Sequence, residues 1–487
     1  MAAMREEKQK YFNRMQDNFP QALLVGFADL DASKILAVNV SHLNQHGETI
    51  ETTLQPLAYR KVTWTLPNAK GELEEMGLRY GDNPDQKSAM FKLVGGNLAL
   101  AACKFVGANN GLVSAITEAD MIQAGKHPGK TNLTDVDSAL NILRYLGEKP
   151  ACAIMKHNNP SGLAYGGSSE VTGAAFGSDV SEAYRKANDA DRIAAFGGAA
   201  VFNKPIDTVT AEMINRNYLE VVCAPDFERG AVEILKGRKN LRIIRLDNIN
   251  RLENYSTTQI IDFKALMDGG FIVQESQVNK VRSLADLKRA SHKGYQTERW
   301  PPDPNEVRDM IFGVAVECGV TSNSVLYVKD ETTVSVGTGQ QDRLDVTVYA
   351  IAKAYRKRRD RECFKEFGIP YPALETMIFH KEQGIDRDYG STAVNNANLN
   401  GVGMLREWKK EIDARVNSIH GGLIGATKVS DAFFPEPDAI DYSLMEFISA
   451  VVHPEGSDKD WATIDACNKA KPRPVIVAHT TQRLFKH

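Results

Sequence analysis

The sequence predicts an α/β fold, from the alternation of short apolar runs with helical patterns, the turn residues between them, and the length of the chain. Five runs read as strands: Ala151–Met155, Ala199–Phe202, Leu241–Leu246, Ser324–Val328 and Pro474–Ala478. Each is short and rich in Val, Ile, Leu or Ala, the pattern of a strand buried on both faces. Helical patterns lie between them. In the first, Val136, Ala139, Leu140 and Leu143 recur at helical spacing. Thr134 is read as its N-cap, Asp135 and Asp137 as carboxylates suited to the positive end of the helix dipole, and Gly147 as its terminator. A chain of 487 residues exceeds one ordinary core, so two or three domains are expected.

The boundaries follow from composition. Residues 1–75 read as a strand-rich N-terminal segment with little chemistry in it. Residues 76–270 and 271–487 read as two α/β units, divided by the polar stretch 247–268 and Gly269-Gly270. Arg299–Pro304 is a proline-rich connection inside the second unit. The absence of a short-period repeat excludes a solenoid.

Apolar residues at 43% and charged residues at 25% are ordinary soluble usage, which excludes a disordered chain or a fibre. No apolar run approaches the ~20 residues needed to span a bilayer. Met1–Lys10 is charged without an apolar stretch behind it, unlike a signal peptide. A cytoplasmic protein with no membrane partner is therefore expected. Lys plus Arg total 59 against 62 for Asp plus Glu. That balance argues against a nucleic-acid partner and requires any anionic ligand to be met by a local cluster. The cysteines form no CxxC pair and read as reduced, buried thiols. The basic run Lys353–Arg359 reads as a solvated helix face, and Trp64, Trp300, Trp408 and Trp461 as packing residues.

Several motifs fail. Ala124–Thr131 has the look of a phosphate loop, but Ala124 stands where the first glycine belongs, and the segment is read as following a helix. HExxH is absent, and no HxE string is followed by the PCxxC of zinc deaminases, which does not occur. Gly337-Thr338-Gly339 lacks the third glycine of a dinucleotide fingerprint. His453–Gly456 reads as a structural turn, and His380 and His420 as ordinary polar residues.

The informative segment is Cys152–Gly162, an apolar strand running into Lys156, His157 and the turn signal Asn158-Asn159-Pro160-Ser161-Gly162. Adjacent strand residues point to opposite faces. At the strand's end, where the chain turns, both can lean over the crevice in which open α/β sheets bind ligands. A lysine and a histidine there can deliver a cation and a base to one substrate.

Other strings join it: Leu78–Gln86, Ala195–Gly198, Gly269–Gln274, Thr321–Val325, Gly337–Arg343, Ser430–Pro435 and Val477–His487. Together they resemble, over residues 76–487, the transformylase domain of the bifunctional purine enzymes that formylate aminoimidazole carboxamide ribonucleotide (AICAR) and close it to IMP. The resemblance implies two cytidine-deaminase-like α/β units without zinc, and a homodimer with its active site at the subunit interface. It implies transfer of formyl from 10-formyltetrahydrofolate, a co-substrate, to the 5-amino group of AICAR. It requires no transition metal, and family members can hold a monovalent cation. Carried over by motif, Lys156, His157 and Asn323 are catalytic. Arg79, Tyr80, Gly197, Glu220, Arg343, Arg483, Phe485 and His487 contact the nucleotide. Phe196, Phe433, Pro435 and Asp438 lie on the folate side.

The residue types suit that chemistry. The AICAR amine is conjugated with its ring and needs a base as the bond to formyl forms, which a near-neutral histidine supplies. Lys156 can stabilise the oxyanion, Asn323 can donate to the formyl oxygen, and planar guanidiniums match a phosphate. Asp85 stands where the family commonly has histidine and places an anion near the expected phosphate. Ser161 replaces a cysteine or small residue, and Glu436 follows Pro435 where an apolar ring is found. Asp85 and the N-terminal segment suggest the alternative of a non-catalytic nucleotide-binding or regulatory relative. A deaminase-like hydrolase is opposed by the missing zinc ligands. The 78 residues before Arg79 are too few for the family's cyclohydrolase domain, so formyl-AICAR is the expected end product.

Overall fold

The computed structural model describes residues 38–43, 48–54, 58–67, 71–78, 89–95, 111–125, 127–167, 178–268 and 271–487. They fall into two compact units, drawn from 1–62, 91–111 and 257–278 in one case and from 63–90, 112–256 and 279–487 in the other. The first is built from strands, as expected of the N-terminal segment. Val38–Leu43 pairs antiparallel with Thr49–Leu54, and Ile261–Ala265 with Phe271–Glu275. The stretch read as a divider, 247–268, thus supplies a 3-10 helix, Asp247–Tyr255, and one of these strands.

The second unit carries a mixed sheet of twelve strands. In its first half these are β1 (Met121–Gln123), β2 (Ala151–Lys156), β3 (Asn159–Tyr165), β4 (Ala199–Phe202), β5 (Val221–Ala224) and β6 (Arg242–Arg245). In its second half they are β7 (Lys288–Arg289), β8 (Val325–Lys329), β9 (Thr332–Gly337), β10 (Thr427–Ser430), β11 (Ala450–Pro454) and β12 (Ile476–Thr480). The spatial order is β7-β12-β11-β10-β8-β9-β3-β2-β4-β5-β6-β1. All five strand expectations are met within two residues.

The two halves repeat one design. An antiparallel hairpin, β2–β3 or β8–β9, is followed by a strand antiparallel to its first arm and then by two parallel strands. The helices repeat as well. α1 (Lys130–Leu143) precedes the first hairpin; α2 (Asp179–Ala190), α3 (Arg192–Ala195), α4 (Thr208–Ile214) and α5 (Arg229–Lys236) follow. α6 (Pro304–Glu317) precedes the second hairpin and α7 (Arg343–Phe367) follows it. After α7 come an inserted trio, α8 (Tyr371–Glu382), α9 (Thr392–Asn398) and α10 (Val402–Ser418), and then α11 (Asp438–Leu444) and α12 (Asp460–Lys469). None of the described helices is long and apolar enough to cross a membrane.

Strand alternation decides which face each helix covers. Cys152, Ile154, Ala200, Phe202 and Val222 form one core with α2, α4 and α5. Val325, Tyr327, Val451 and Val477 form the corresponding core with α7, α11 and α12. α6 lies on the opposite face, where Gly313 sits against Leu326, Val328 and Val429. Beyond its end, a Cβ on Gly319 would stand 2.4 Å from Ile142 Cδ1 of α1, so only glycine lets the two helices meet so closely. The inserted trio has its own core of Leu374, Met377, Leu405, Ile412 and Val416.

Three local expectations are corrected. α1 starts at Lys130 with Gly129 as N-cap, because the Asn132 side chain accepts the Gly129 N–H at 3.0 Å. Thr134, Asp135 and Asp137 are therefore interior, and Gly147 lies beyond the helix end. Ala124–Thr131 follows strand β1 rather than a helix. The basic run on α7 is not a solvated face: Lys353 and Lys357 converge on buried Asp191, Arg358 pairs with Glu362, and Arg359 with Asp413.

Asp309, the sixth residue of α6, accepts the backbone N–H of Glu331 at 2.7 Å and of Asp330 at 3.1 Å. It thereby clamps the β8–β9 turn. Burial pushes its carboxyl up to about 6. A raised acid favours folding while protonated, and that contribution is lost as pH climbs from the unfolded value towards the folded one. The stability of wild type in urea should therefore fall between about pH 4 and 6, by roughly 3 kcal/mol relative to Asp309→Asn. Parallel pH profiles for the two proteins would refute this.

Candidate functional site

Lys156 is the last residue of β2, and His157 and Asn158 are the two turn residues before β3. Both have positive φ, 55° and 62°, the geometry of a two-residue hairpin whose twist matches its strands. The expected long turn through Asn-Asn-Pro-Ser-Gly is thus replaced by a tight one, with Pro160, Ser161 and Gly162 inside β3. Asn158 tolerates the left-handed conformation well and His157 less readily. The strain is offset by fixed contacts on the turn's backbone. The Asn158 N–H donates to Asp135 Oδ1 of α1 at 2.6 Å, and the Asn158 carbonyl accepts from Lys486 Nζ at 2.9 Å. Asp135 occupies the position in α1 that Asp309 occupies in α6, so both halves hold their hairpin turn with one helix carboxylate.

Burial raises the Asp135 pKa, while the Asn158 N–H and the His157 imidazole favour its charged form. Burial lowers the Lys486 pKa, opposed by the carboxylates of Asp137 and Asp135. His157 itself is exposed.

Lys156 turns towards the segment after α3. Its Nζ donates to the Phe196 carbonyl at 2.8 Å and lies 4.0 Å from where a Cβ on Gly197 would stand. Gly197, at φ 78°, donates its N–H to Tyr218 O, and the Phe196 and Tyr218 rings lie 4.9 Å apart. The Glu220 N–H donates to Gly198 O, and its carboxylate accepts from Asn132 at 2.9 Å. The structure therefore groups Lys156, Phe196, Gly197 and Glu220. Phe196, expected on the folate side, is the most exposed ring of this group.

The second half supplies the other wall. Asn159 Oδ1 accepts from the Thr321 N–H at 2.9 Å and from Thr338 Oγ1 at 3.2 Å. The Asn323 amide donates to Gln341 O at 2.9 Å, and its oxygen accepts from Arg343 Nη2 at 2.8 Å. Arg343 is buried against Asp431, with further bonds to Ser324 O and Ser430 Oγ. Its guanidinium is thus tied into the protein core. Behind it, burial and the Asp431 carboxylate hold the Glu317 carboxyl well above its usual range, with Ser324 Oγ donating to it at 2.7 Å.

The C-terminal tail closes the group. The Leu484 N–H donates to Asp431 O, the Lys486 N–H to Ser322 Oγ, and Lys486 O accepts from the Ser322 N–H. The Arg483 guanidinium stands 5.0 Å over the Phe433 ring and 5.7 Å from Phe485, whose ring lies 5.8 Å from His487. Pro435 and Asp438 are exposed beyond Phe433, and Glu436 pairs with Lys459. Arg79, Tyr80 and Asp85 lie outside the described residues. Asp135, Asp431, Ser322 and Lys486 are the participants that sequence reasoning missed. Asp135 was legible only as a helix-dipole carboxylate, and Lys486 only as part of the string Val477–His487.

Fold and site together define a duplicated α/β protein whose polar centre lies where its two repeats join. Residues 28–353 match the AICARFT/IMPCHase bienzyme family, and the chain belongs to it. It is 30% identical over 410 residues to the bifunctional purine biosynthesis protein PurH of Clostridium perfringens, covering 84% of this chain and 58% of that protein. Identity is 29% to the proteins of the same name from Caldicellulosiruptor saccharolyticus and Aquifex aeolicus, over 412 and 411 residues, covering 84% of this chain and 59% of each relative. The chain thus spans about three-fifths of the length of these relatives.

Asp135→Ala removes the acceptor for the Asn158 N–H. Hydrogen exchange across residues 156–160 should then speed up about tenfold, the effect of losing ~1.4 kcal/mol of charge-assisted hydrogen bonding. Asp135→Asn, which keeps an acceptor oxygen, should show a smaller rise. An unchanged exchange rate in the alanine variant would mean that strand pairing and Lys486 suffice to hold the turn.

Proposed function

We propose that this chain transfers the formyl group of 10-formyltetrahydrofolate to the 5-amino group of AICAR, giving formyl-AICAR and tetrahydrofolate. The observation that carries this reading is the Lys156–His157 turn, held at its backbone by Asp135 and Lys486 and walled by the Thr321–Asn323 and Thr338–Arg343 segments. A rigid turn presents the two side chains without an ordering cost at the moment of reaction. His157, exposed at the tip, takes the amine proton as nitrogen attacks the formyl carbon. Lys156 stabilises the oxyanion of the tetrahedral intermediate, and one of the pair returns a proton to the departing folate nitrogen.

Arg483 and Phe485 meet the nucleotide, with Gly197 and Glu220 beside Lys156. Phe433, Pro435 and Asp438 face the folate. Asn323 reaches the formyl oxygen by giving up its bond to Gln341. The protein works as a soluble cytoplasmic homodimer with its sites at the subunit interface. It uses no transition metal in the transfer.

A second reading, a nucleotide-binding relative without turnover, is favoured by Arg343, whose guanidinium is committed to Asp431 and Asn323 instead of facing a ligand. Tetrahydrofolate formation, followed by absorbance with AICAR and 10-formyltetrahydrofolate, separates the two. The transferase reading requires turnover; tight AICAR binding without it selects the second. Within the first, His157→Ala should lower kcat by about 100-fold or more with AICAR affinity nearly intact. Lys156→Ala should do the same or worse. Near-wild-type rates in both variants would remove the pair from the mechanism.

A further inference from the structure

A second polar cluster lies under the C-terminal ends of the last two parallel strands. His453 of β11 and His479 of β12 are register partners, on the strand face that carries Val451 and Val477 towards α12. Asp460 is the first residue of α12. All three side chains are buried, with 0%, 2% and 3% of their surface exposed. The imidazole rings stand 4.8 Å apart at 68°. His453 Nε2, His479 Nε2 and Asp460 Oδ1 make no hydrogen bond within the protein, and one ligand atom from each residue lies within 4.8 Å of the other two. Buried polar atoms without partners are costly.

The remaining atoms of two of these side chains are already oriented. His453 Nδ1 lies 2.9 Å from the Pro454 carbonyl, which can only accept, so the proton sits on Nδ1 and the Nε2 lone pair faces the cluster. Asp460 Oδ2 accepts the N–H groups of Gly456 at 2.9 Å and Ser457 at 3.1 Å, leaving Oδ1 for another partner. A backbone or carboxylate contact that fixes the tautomer and the ring is what supports metal-bound histidines.

We propose that His453, His479 and Asp460 form a binding site for a divalent transition-metal ion, with zinc the best match to two imidazole nitrogens and a carboxylate oxygen. Ligands at ~2.0–2.2 Å from zinc lie roughly 3.3–3.6 Å from one another, so binding draws the three atoms inward by about 1 Å. Burial keeps both imidazoles neutral, His479 down to about 4, and neutral imidazole is the ligating form. Burial raises Asp460 to about 6, and the ion's charge reverses that preference. Glu455 and Asp458 face Asp460 and favour a cation. Lys428 and Arg343 face His453, and Lys288 and His292 face His479, opposing it. The ion would tie β11, β12 and α12 together beneath the tail that carries Arg483. This role is separate from formyl transfer.

The test uses the full chain without a histidine tag, stripped with chelator, loaded with zinc and dialysed against a micromolar-affinity competitor. One zinc per chain should remain by elemental analysis, and the apoprotein's unfolding midpoint should rise with added zinc. His453→Gln and His479→Gln should each weaken zinc binding by at least about 100-fold. Wild type that retains no zinc overturns the proposal, as do folded variants that retain it equally. Should a variant not fold, cobalt-loaded wild type decides: the visible bands of a low-coordinate nitrogen site support the assignment, and the weak spectrum of aqueous cobalt overturns it.

Discussion

The pairing of β3 with β9 is the contact on which the rest of this architecture depends. It is narrow: Thr332 registers with Ala164, the Tyr165 N–H donates to Glu331 O at 3.1 Å, and Thr333 Oγ1 both receives the Leu163 N–H and donates to its carbonyl. Those few bonds turn two repeats into one sheet. Lys149 adds an ion pair to Glu331, and Tyr165 packs its ring 5.4 Å from Phe312 of α6. Because the pairing is antiparallel, the start of β3 must lie beside the end of β9. The His157–Asn158 turn is thereby brought to the Thr338–Arg343 segment, although Gly339 lies 181 positions after Asn158 in the sequence. The site is a consequence of how the repeats join.

Duplication also explains how the turn is held. Each half opens with a helix whose sixth residue is an aspartate, Asp135 or Asp309, and each aspartate accepts backbone N–H groups from the following hairpin turn. The common device has diverged in what it displays. The second turn carries Asp330 and Glu331, and Glu331 is drawn to Lys149 across the junction. The first carries His157, left exposed, after a lysine whose ammonium rests on a single carbonyl. One turn has become part of the joint and the other has stayed accessible to a ligand.

This division accounts for what the sequence disclosed. Strands such as Ala199–Phe202 were legible because apolar residues buried on both faces form unbroken runs, and Lys156-His157 because a polar pair after such a run breaks the pattern. Helix ends were less legible. Thr134 has the chemistry of an N-cap, yet Asn132 reaches back to Gly129 and starts the helix five residues earlier. The basic stretch on α7 misled for a related reason. Charge along a helix usually marks water, but Asp191 caps α3 through the Ala194 N–H while receiving Lys353 and Lys357, and that pairing depends on elements more than 150 residues apart. Arg343 is the same lesson inside the site. Its residue type and motif suit a phosphate, and only the fold reveals Asp431 beside it.

The C-terminal tail shows why composition and position must be weighed together. Chain ends are ordinarily frayed, since few contacts repay the entropy of ordering them. Here Leu484 is buried and its N–H is bound by Asp431 O, while the backbone of Lys486 makes two bonds to Ser322. The Lys486 ammonium then spans to Gly319 O and Asn158 O, joining the end of α6's turn to the hairpin of the first half. Partial burial makes that ammonium costly to charge, and the two carbonyls together with Asp135 and Asp137 offset the cost. The last residues therefore act as a strap across the joint between repeats. Any ligand that engages Arg483 or Phe485 must do so against a backbone already fixed by Asp431 and Ser322, which couples the tail directly to the turn that carries His157.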